Sequence, residues 1–316
     1  MNTLIWRLHR NQVLFASAAL VGLAALLLIT GINMARDFHS ALANCAAAQS
    51  CGDLQSRLFQ GDGLIIDLVN FTLVIPLLFG LFWGAPLVAK ECEDGTHNLA
   101  WTQGVSRRAW LGANVGWALL AAAIWGASMA ALVSWWRLPE NALSTRFEAF
   151  DVQGIAPVAY SICAVALGIA VGSTLRRVLP ALATTLGSFV ALRLAIGLYL
   201  RPHYMAAITK VVPLLNNRGG APRGSWVISS SVVGPDGHSY GSSFSLSDIP
   251  AACRTSVLGE TTASIRCVAA HGFHQLITYQ PDSRFWAFQG IEAAIFVLLA
   301  CGFVGLAFWR VVARDA

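Results

Sequence analysis

Residues 90–108, KECEDGTHNLAWTQGVSRR, form a charged stretch between two long apolar runs, residues 64–89 and 109–136. Each run is long enough to cross a bilayer, which takes about 20 residues. The stretch is therefore a short loop whose two ends enter the same face of a membrane. Within it Thr96 is placed to cap the start of a short helix, and Gly104 is placed to end that helix. This loop is the part of the surrounding sequence that is available to a soluble partner.

Four more apolar runs bring the number of predicted spans to six: residues 13–34, 155–175, 179–200 and 285–312. The chain is 56% hydrophobic and 12% charged, with a mean hydropathy of +0.61, and this composition excludes a soluble domain. We therefore expect an all-α polytopic membrane protein with six transmembrane helices. Three glycine pairs with GxxxG spacing are candidates for close helix contacts: Gly80 with Gly84, Gly112 with Gly116, and Gly168 with Gly172.

The N-terminal part of the chain allows two interpretations. Residues 13–34 precede Ala41-Leu42-Ala43, which mimics the cleavage site of a signal peptide. Their apolar core is too long for a typical signal peptide, so we expect an uncleaved first span. Residues 2–12 have apolar side chains toward one helical face and basic side chains around the other. That pattern predicts an N-terminal interfacial helix.

The sequence divides into three regions. Residues 1–200 contain spans 1 to 5 and the loop 90–108, residues 201–284 are mostly polar, and residues 285–316 contain span 6 and a tail. In the polar region, WVISSSVV and HSYGSSFS flank the turn sequence Gly234-Pro235-Asp236-Gly237, which predicts a β-hairpin. Residues 202–215 are apolar enough to dip back into the membrane. We expect a small α/β extracytoplasmic loop region between spans 5 and 6, with a helix that contains Cys267.

Basic residues near the span ends predict the orientation, because short cytoplasmic loops are enriched in Arg and Lys. Nine such residues lie on one face and four on the other, with the long loop 201–284 left out of the comparison. The richer face holds Arg7, Arg10, Lys90, Arg107, Arg108, Arg176, Arg177, Arg310 and Arg314, and the poorer face holds Arg36, Arg57, Arg137 and Arg146. Both termini and the loop 90–108 are therefore predicted to be cytoplasmic. The net charge of +5 requires no nucleic-acid partner, because the basic residues mostly flank spans.

Four of the seven cysteines fall in the predicted outer loops. Cys45 and Cys51 lie in the first outer loop, and Cys253 and Cys267 lie in the last. An even number of cysteines in an oxidising compartment predicts disulfides. Four cysteines allow three pairings, of which we favour the local ones, Cys45 with Cys51 and Cys253 with Cys267. Four free thiols are the alternative.

Ionisable residues inside a span are costly, so each is a candidate functional residue with a partner to be named. Arg193 lies seven residues from the outer end of span 5, about 10 Å deep. Glu292 lies eight residues into span 6, about 12 Å deep. Their matching depths predict an ion pair between Arg193 and Glu292. Asp67, near the outer end of span 2, is the competing partner. Such a pair either locks the packing of the outer half or contacts the substrate.

The sequence contains no arrangement typical of an enzyme. The two lysines, Lys90 and Lys210, do not follow a GxxxxGK[ST] loop, so the chain has no phosphate-binding loop of that type. Serines, histidines and acids lie scattered in the outer loop without the context of a nucleophile elbow. His271 and His274 are spaced to share a metal ion, but no third ligand lies nearby in sequence. We therefore expect no enzyme activity, no cofactor and no metal site in this chain.

Two motifs resemble those of a known transporter family. The first is Glu91-x-Glu93-x-Gly95-Thr96 followed by Trp101-Thr102-Gln103-Gly104-Val105-Ser106-Arg107, and the second is Tyr279-Gln280-Pro281, Arg284-Phe285-Trp286 and Gln289 to Glu292. They resemble the loop between spans 2 and 3, and the entry to the last span, of permease subunits of type-2 ATP-binding-cassette exporters of the actinobacterial branch.

The resemblance implies a separate ATPase subunit, in two copies, which holds the ATP and Mg²⁺. It also implies a second permease, expected to be an identical copy, and contact with membrane lipid. The residues that it assigns to coupling with the ATPase are Glu91, Glu93, Asp94, Gly95, Thr96, Trp101 and Arg107.

In the family, spans 2 and 5 line a central cavity. The corresponding candidates here are Asn70, Phe71, Thr72, Ser188, Phe189 and Arg193. Their amide, hydroxyl, aromatic and guanidinium groups suit an amphipathic substrate, and the resemblance implies export of a drug, an antibiotic or a natural product. Two alternatives lack an ATPase: a secondary transporter, which typically shows internal repeats that are not evident here, and a membrane sensor or immunity protein that binds a ligand at its outer loop.

Overall fold

The computed structural model describes residues 2–48, 67, 69–94, 106–214, 221–240, 250–254 and 261–313. It divides into two compact units. The span unit consists of Met1–Asn141, Ala149–Leu198 and Trp286–Ala316, and the sheet unit consists of Ala142–Glu148 and Tyr199–Phe285.

Among the described residues, six helical segments are long and apolar enough to cross a membrane, and this confirms the predicted all-α polytopic fold. We number them spans 1 to 6 in chain order. Their bounds are Leu20–Ser40, Val69–Glu93, Arg107–Trp136, Ala156–Leu175, Val178–His203 and Asp282–Val312.

Span 1 lies within one continuous helix, Asn2–Ala48. Residues 2–12, for which the sequence predicts an interfacial helix, are the first turns of that helix and not a separate element. The physical reason is that no proline occurs between residues 2 and 48 and the first glycine is Gly22, so nothing interrupts the backbone hydrogen bonds near the predicted junction.

Span 2 is the most irregular span. A 3₁₀ turn, Thr72–Val74, leads into an α-helix, Ile75–Phe79, then a π turn, Gly80–Gly84, and a second α-helix, Ala85–Glu93. A proline lies in the first turn of each α-helix. Each proline lacks an N–H and crowds the preceding turn, so the ladder loosens into 3₁₀ and π geometry beside it.

The other helices are regular. They are Arg107–Trp136, Leu138–Leu143, Ala156–Leu175, Val178–Ala195 and Phe285–Phe308. A 3₁₀ turn, Arg146–Ala149, precedes span 4, a π turn and a 3₁₀ turn, Ile196–Leu200 and Arg201–His203, extend span 5, and a π turn, Trp309–Ala313, follows span 6.

Span 4 is the central helix of the span unit. Buried residues make up 72% of its most apolar window, against at most 33% in any other span. It packs against spans 2, 3 and 5. A Cβ added at Gly80 of span 2 would lie 2.7 Å from the Ala164 carbonyl oxygen of span 4. A Cβ added at Gly84 would lie 2.6 Å from the Val165 carbonyl oxygen. The backbones of spans 2 and 4 therefore touch, as small residues at helix contacts permit.

Two of the three predicted glycine pairs form this contact from opposite sides. A Cβ at Gly168 would lie 2.7 Å from the Ala85 nitrogen, and Gly172 of span 4 also faces Ala85. The third pair does not pack closely, because a Cβ at Gly116 would meet nothing within 4 Å. Spacing alone does not distinguish the three pairs.

The sheet unit contains three antiparallel strands in the order β1-β3-β2: β1 is Ile208–Pro213, β2 is Trp226–Val233 and β3 is His274–Gln280. Two helices, Ala251–Arg254 and Thr261–Ala270, and a 3₁₀ turn, Asp282–Arg284, complete it. This small mixed region, with Cys267 on its second helix, confirms the α/β prediction between spans 5 and 6.

The described residues bear on two local expectations for the sheet unit. The turn at Gly234-Pro235-Asp236-Gly237 is present, with Gly237 at φ +79°, and the chain pairs across it: Val233 bridges to Ser239, and the Tyr240 N–H donates to the Val232 carbonyl at 2.8 Å. Residues 241–245 of the predicted hairpin lie outside the described residues. Residues 208–213, which the sequence predicts to be apolar enough to dip into the membrane, form strand β1. Strand β3, which lies far away in sequence, pairs with both β1 and β2, and Val212 is buried against Ile277.

Candidate transport site

Four polar side chains from four different segments meet within the span unit. Arg193 of span 5 places its Nη2 atom 3.2 Å from Asp151 Oδ1 and its Nη1 atom 3.7 Å from Glu292 Oε1 in span 6. The Tyr160 hydroxyl in span 4 lies 2.6 Å from Glu292 Oε1 and 3.3 Å from Asp151 Oδ1. We call Asp151, Tyr160, Arg193 and Glu292 the charge cluster.

The members of the charge cluster differ in exposure. Glu292 and Tyr160 are fully buried, whereas the Asp151 side chain remains 34% exposed. The Arg193 guanidinium lies over the Tyr160 ring, 3.6 Å from its centroid, which is a cation–π contact. One cation thus faces two carboxylates, of which Glu292 has no access to solvent. Glu292 therefore depends on Arg193 and Tyr160 for its compensation.

The loop that contains Asp151 is held in place by Gln289 of span 6. The Gln289 side chain is fully buried, donates from Nε2 to the Phe150 carbonyl at 2.9 Å and accepts from the Ala156 N–H at 2.7 Å. Gly154 lies between these points at φ +79°, and a Cβ there would lie 2.8 Å from Gln289 Oε1. Glycine is therefore needed for both the backbone conformation and the space.

The predicted partners Arg193 and Glu292 are brought together, and the predicted competitor Asp67 is exposed. The sequence reasoning did not find Asp151 and Tyr160. Tyr160 offered one signal, since it is a phenol inside an apolar span, near its start. Asp151 offered none, because it lies outside every predicted span and its loop is held in place by Gln289, which is distant in sequence.

A second charged group lies near the end of span 3. Arg137 donates from Nη2 to Glu140 Oε1 at 2.7 Å and from Nη1 to Asn70 Oδ1 of span 2 at 3.4 Å. The Arg137 and Glu140 side chains are only 4% and 11% exposed. Asn70, predicted as a cavity residue, therefore contacts the buried Arg137.

The other predicted cavity residues do not share one surface. Phe71 is 65% exposed and Ser188 is exposed, whereas Thr72 and Phe189 are buried. Thr72 donates to the Val69 carbonyl at 2.5 Å and lines, with Asp151 and Ser161, a cavity of about 10 Å³. That volume holds at most one water molecule, so this cavity does not accept a substrate. Phe71 and Ser188 lie on the faces of spans 2 and 5 that are open in the single chain.

The segment between spans 2 and 3 is described only at its ends. Glu91 and Glu93 lie in the last turn of span 2, followed by Asp94, and Arg107 begins span 3. Ser106 caps span 3 by accepting from the Ala109 N–H at 3.2 Å. Glu93 accepts, through Oε2, from the Val178 N–H of span 5 at 2.8 Å. The predicted coupling residues Gly95, Thr96 and Trp101 lie outside the described residues.

The sheet unit contains the cysteine pair predicted for the last loop. Cys253 and Cys267 form a disulfide with a Cα–Cα distance of 5.6 Å. His271 lies beside it, with Nδ1 3.5 Å from Cys253 Sγ. Because both sulfur atoms are in the disulfide, these three residues do not form a metal-ligand set in this state. The predicted Cys45–Cys51 pair lies outside what the structure describes, because Cys51 falls between the described ranges.

The disulfide gives a testable prediction for the sheet unit. Replacing Cys253 with serine is expected to lower the free energy of unfolding of this unit by about 2–3 kcal/mol, because a short loop of the unfolded chain is no longer closed. Thermal unfolding in detergent measures the change, with Cys301→Ser, an exposed free cysteine in span 6, as the control. A maleimide reagent should label Cys267 in the variant and not in the intact chain. Equal labelling in both would show that the disulfide does not form.

The fold and the arrangement of its charged side chains define a multi-pass membrane protein with polar groups held between its spans. The sequence matches the family described as ABC-2 membrane transporter related over residues 17–201, which is more than half of the 316 residues. The chain therefore belongs to this family of membrane transport permeases, a family that implies an ATPase partner and indicates a transport subunit rather than an enzyme. No curated protein and no solved structure matches it.

Proposed function

We propose that this chain is the permease subunit of an ATP-driven exporter whose ATPase is a separate polypeptide. The family match over spans 1 to 5 is the observation that supports this most directly. The geometry adds that Glu93 and Arg107 end and begin two consecutive spans. Two consecutive spans are joined on one face of the membrane, as a docking segment for a soluble ATPase requires.

The complete transporter would contain two copies of the ATPase, which bind ATP and Mg²⁺, and a second permease identical to this chain. The coupling residues would be Glu91, Glu93, Asp94, Gly95, Thr96, Trp101 and Arg107. Closure of the ATPases on ATP would push on this segment and switch a central cavity from inward to outward access. The excess of basic residues on the same face supports a location of this segment, and of both termini, on the cytoplasmic side of a bacterial plasma membrane. The resemblance of the two motifs supports assignment of the chain to the actinobacterial branch of the family.

The substrate would be an amphipathic small molecule, a drug or a natural product. The support lies in the open faces of spans 2 and 5, where Phe71 offers an exposed ring and Ser188 an exposed hydroxyl. A second permease that covers these faces would enclose a cavity lined by both aromatic and polar groups. Such a lining suits a ligand with one apolar and one polar part.

Co-purification tests the proposal. The intact chain is expressed with the ATPase subunit encoded beside it in its genome, and ATP hydrolysis is measured after purification. We expect the ATPase to be retained by the intact chain, and Glu91→Ala combined with Glu93→Ala to abolish retention or the effect of the permease on hydrolysis. Arg146→Ala, in the sheet unit, is the control and should retain both.

The same experiment separates the alternatives. If the intact chain retains no ATPase, the exporter proposal fails. Transport that follows an imposed ion gradient in vesicles would then favour a secondary transporter. Ligand binding at the sheet unit without transport would favour a sensor or immunity protein.

A further inference from the structure

Glu93 caps a helix to which it does not belong. It is the last residue of the Ala85–Glu93 helix, and its Oε2 atom accepts a hydrogen bond of 2.8 Å from the backbone N–H of Val178. Val178 is the first residue of the Val178–Ala195 helix of span 5. The N-cap residue of that helix, Arg177, makes no side-chain capping bond. The Glu93 carboxylate therefore satisfies one of the N–H groups that a helix leaves open at its start.

The charge of Glu93 favours the same arrangement. A carboxylate in the last turn of its own helix faces the negative end of that helix dipole, which is unfavourable. The start of span 5 is the positive end of another dipole, and a hydrogen bond to an ionised acceptor is stronger than one between neutral groups. The carboxylate thus has an electrostatic reason to reach across to span 5.

Close packing supports this link at the same end of the bundle. Ala85 and Ala89 of span 2 and Ala181 of span 5 are fully buried against one another. Only the residues Arg176 and Arg177 separate span 4 from span 5, with Arg176 in the left-handed conformation at φ 54°. A displacement of the end of span 2 is therefore transmitted to the first turn of span 5 by a tight packing contact as well as by a hydrogen bond.

We propose that Glu93 is a positioning residue that transmits movement of the segment 90–108 to span 5, and that it is not a contact for the ATPase. This rests on the proposed function, since it assumes that an ATPase pushes on that segment. When the end of span 2 moves, the first turn of span 5 moves with it, because the Glu93 carboxylate is hydrogen-bonded to the Val178 N–H. Span 5 contains Ser188 and Arg193, so the movement reaches both the open face and the charge cluster.

Hydrogen–deuterium exchange of the purified chain tests the cap itself. Glu93→Ala is expected to speed exchange of the amides of Val178, Leu179 and Ala181 about fivefold, the effect of losing one helix cap. Glu93→Gln keeps an acceptor without the charge and should give a smaller increase. Asp94→Ala removes the adjacent carboxylate and should leave these amides unchanged. Unchanged exchange in Glu93→Ala would overturn the proposal.

The complete transporter tests transmission. We expect Glu93→Ala to retain the ATPase. We also expect ATP to change the amide exchange of Val178, Leu179 and Ala181 in the intact chain but not in this variant. Loss of the ATPase from Glu93→Ala alone would show that Glu93 is an ATPase contact and would overturn the proposal. An ATP-dependent change that persists in Glu93→Ala would overturn it as well. If the intact chain itself retains no ATPase, the proposed function fails, and the proposed transmission through Glu93 fails with it. Co-purification of the intact chain identifies this result without any variant.

Discussion

Arg193→Met is expected to lower the free energy of unfolding by about 3–5 kcal/mol, the cost of breaking a buried ion pair by removing one partner. The methionine preserves much of the side-chain volume, so the loss is mainly one of charge. Asp151 is one-third exposed and can recruit water, but Glu292 is fully buried and would lose its cation while it keeps the hydrogen bond from the Tyr160 hydroxyl. Thermal unfolding in detergent, with export by the complete transporter as a second readout, measures the effect.

The matched controls separate charge pairing from general damage. Arg108→Met removes an exposed arginine at the start of span 3 and is expected to change stability by less than about 0.5 kcal/mol. Adding Glu292→Gln to Arg193→Met should restore part of the lost free energy of unfolding. The reason is that the double variant no longer contains a buried Glu292 carboxylate without its cation. If the double variant loses the sum of the two single losses, Arg193 and Glu292 do not interact.

The presence of Asp151 changes how this pairing should be tested. A charge reversal, Arg193→Glu with Glu292→Arg, would restore the pair but place a glutamate 3–4 Å from Asp151, where Arg193 now lies. Like charges at that distance repel, so failure of the reversed pair would not speak against the ion pair. The double variant Arg193→Met with Glu292→Gln places no charge beside Asp151 and so avoids this repulsion.

Gly84→Ala is expected to separate spans 2 and 4 and to cost about 3 kcal/mol or more, at the upper end for overpacking. The new Cβ would lie 2.6 Å from the Val165 carbonyl oxygen and 3.2 Å from the Gly168 Cα. Both neighbours are backbone atoms, so no side chain can rotate away. The yield of monodisperse protein and its thermal unfolding report the loss.

Gly116→Ala is the control for this prediction, because it belongs to a pair with the same GxxxG spacing. A Cβ at Gly116 meets nothing within 4 Å, and alanine is a better helix former than glycine. We expect this variant to be as stable as the intact chain or slightly more so. Equal damage from both variants would show that spans 2 and 4 do not pack through their glycines.

The charge cluster and the Glu93 cap lie toward opposite ends of span 5. Val178, at the start of that span, is held by Glu93 of span 2, and Arg193, fifteen residues on, is held by Asp151 and Glu292. Span 5 is therefore fixed by polar contacts at two positions while much of its remaining surface is exposed in the single chain. A helix restrained in this way can respond to a push at one end by altering its contacts at the other.

The sequence by itself determined the number and approximate limits of the spans. A bilayer demands about 20 consecutive apolar residues, and this requirement is local, so composition is enough to recognise it. The depth of Arg193 and Glu292 could be read in the same way, since depth depends only on the position along a span. The glycine spacing identified three possible contacts and could not choose between them.

Only the tertiary structure decided which of these groups meet. Gly80 and Gly84 pack on Gly168 and Gly172 because span 4 is central, and no pattern within one helix contains that information. Asp151 joins Arg193 because Gln289, 138 residues further along the chain, holds its loop. Strands β1 and β2 both pair with β3, which is distant from each of them in sequence. The physical reason is common to all three: the bilayer acts on each segment separately, whereas packing and polar pairing depend on the arrangement of segments distant in sequence.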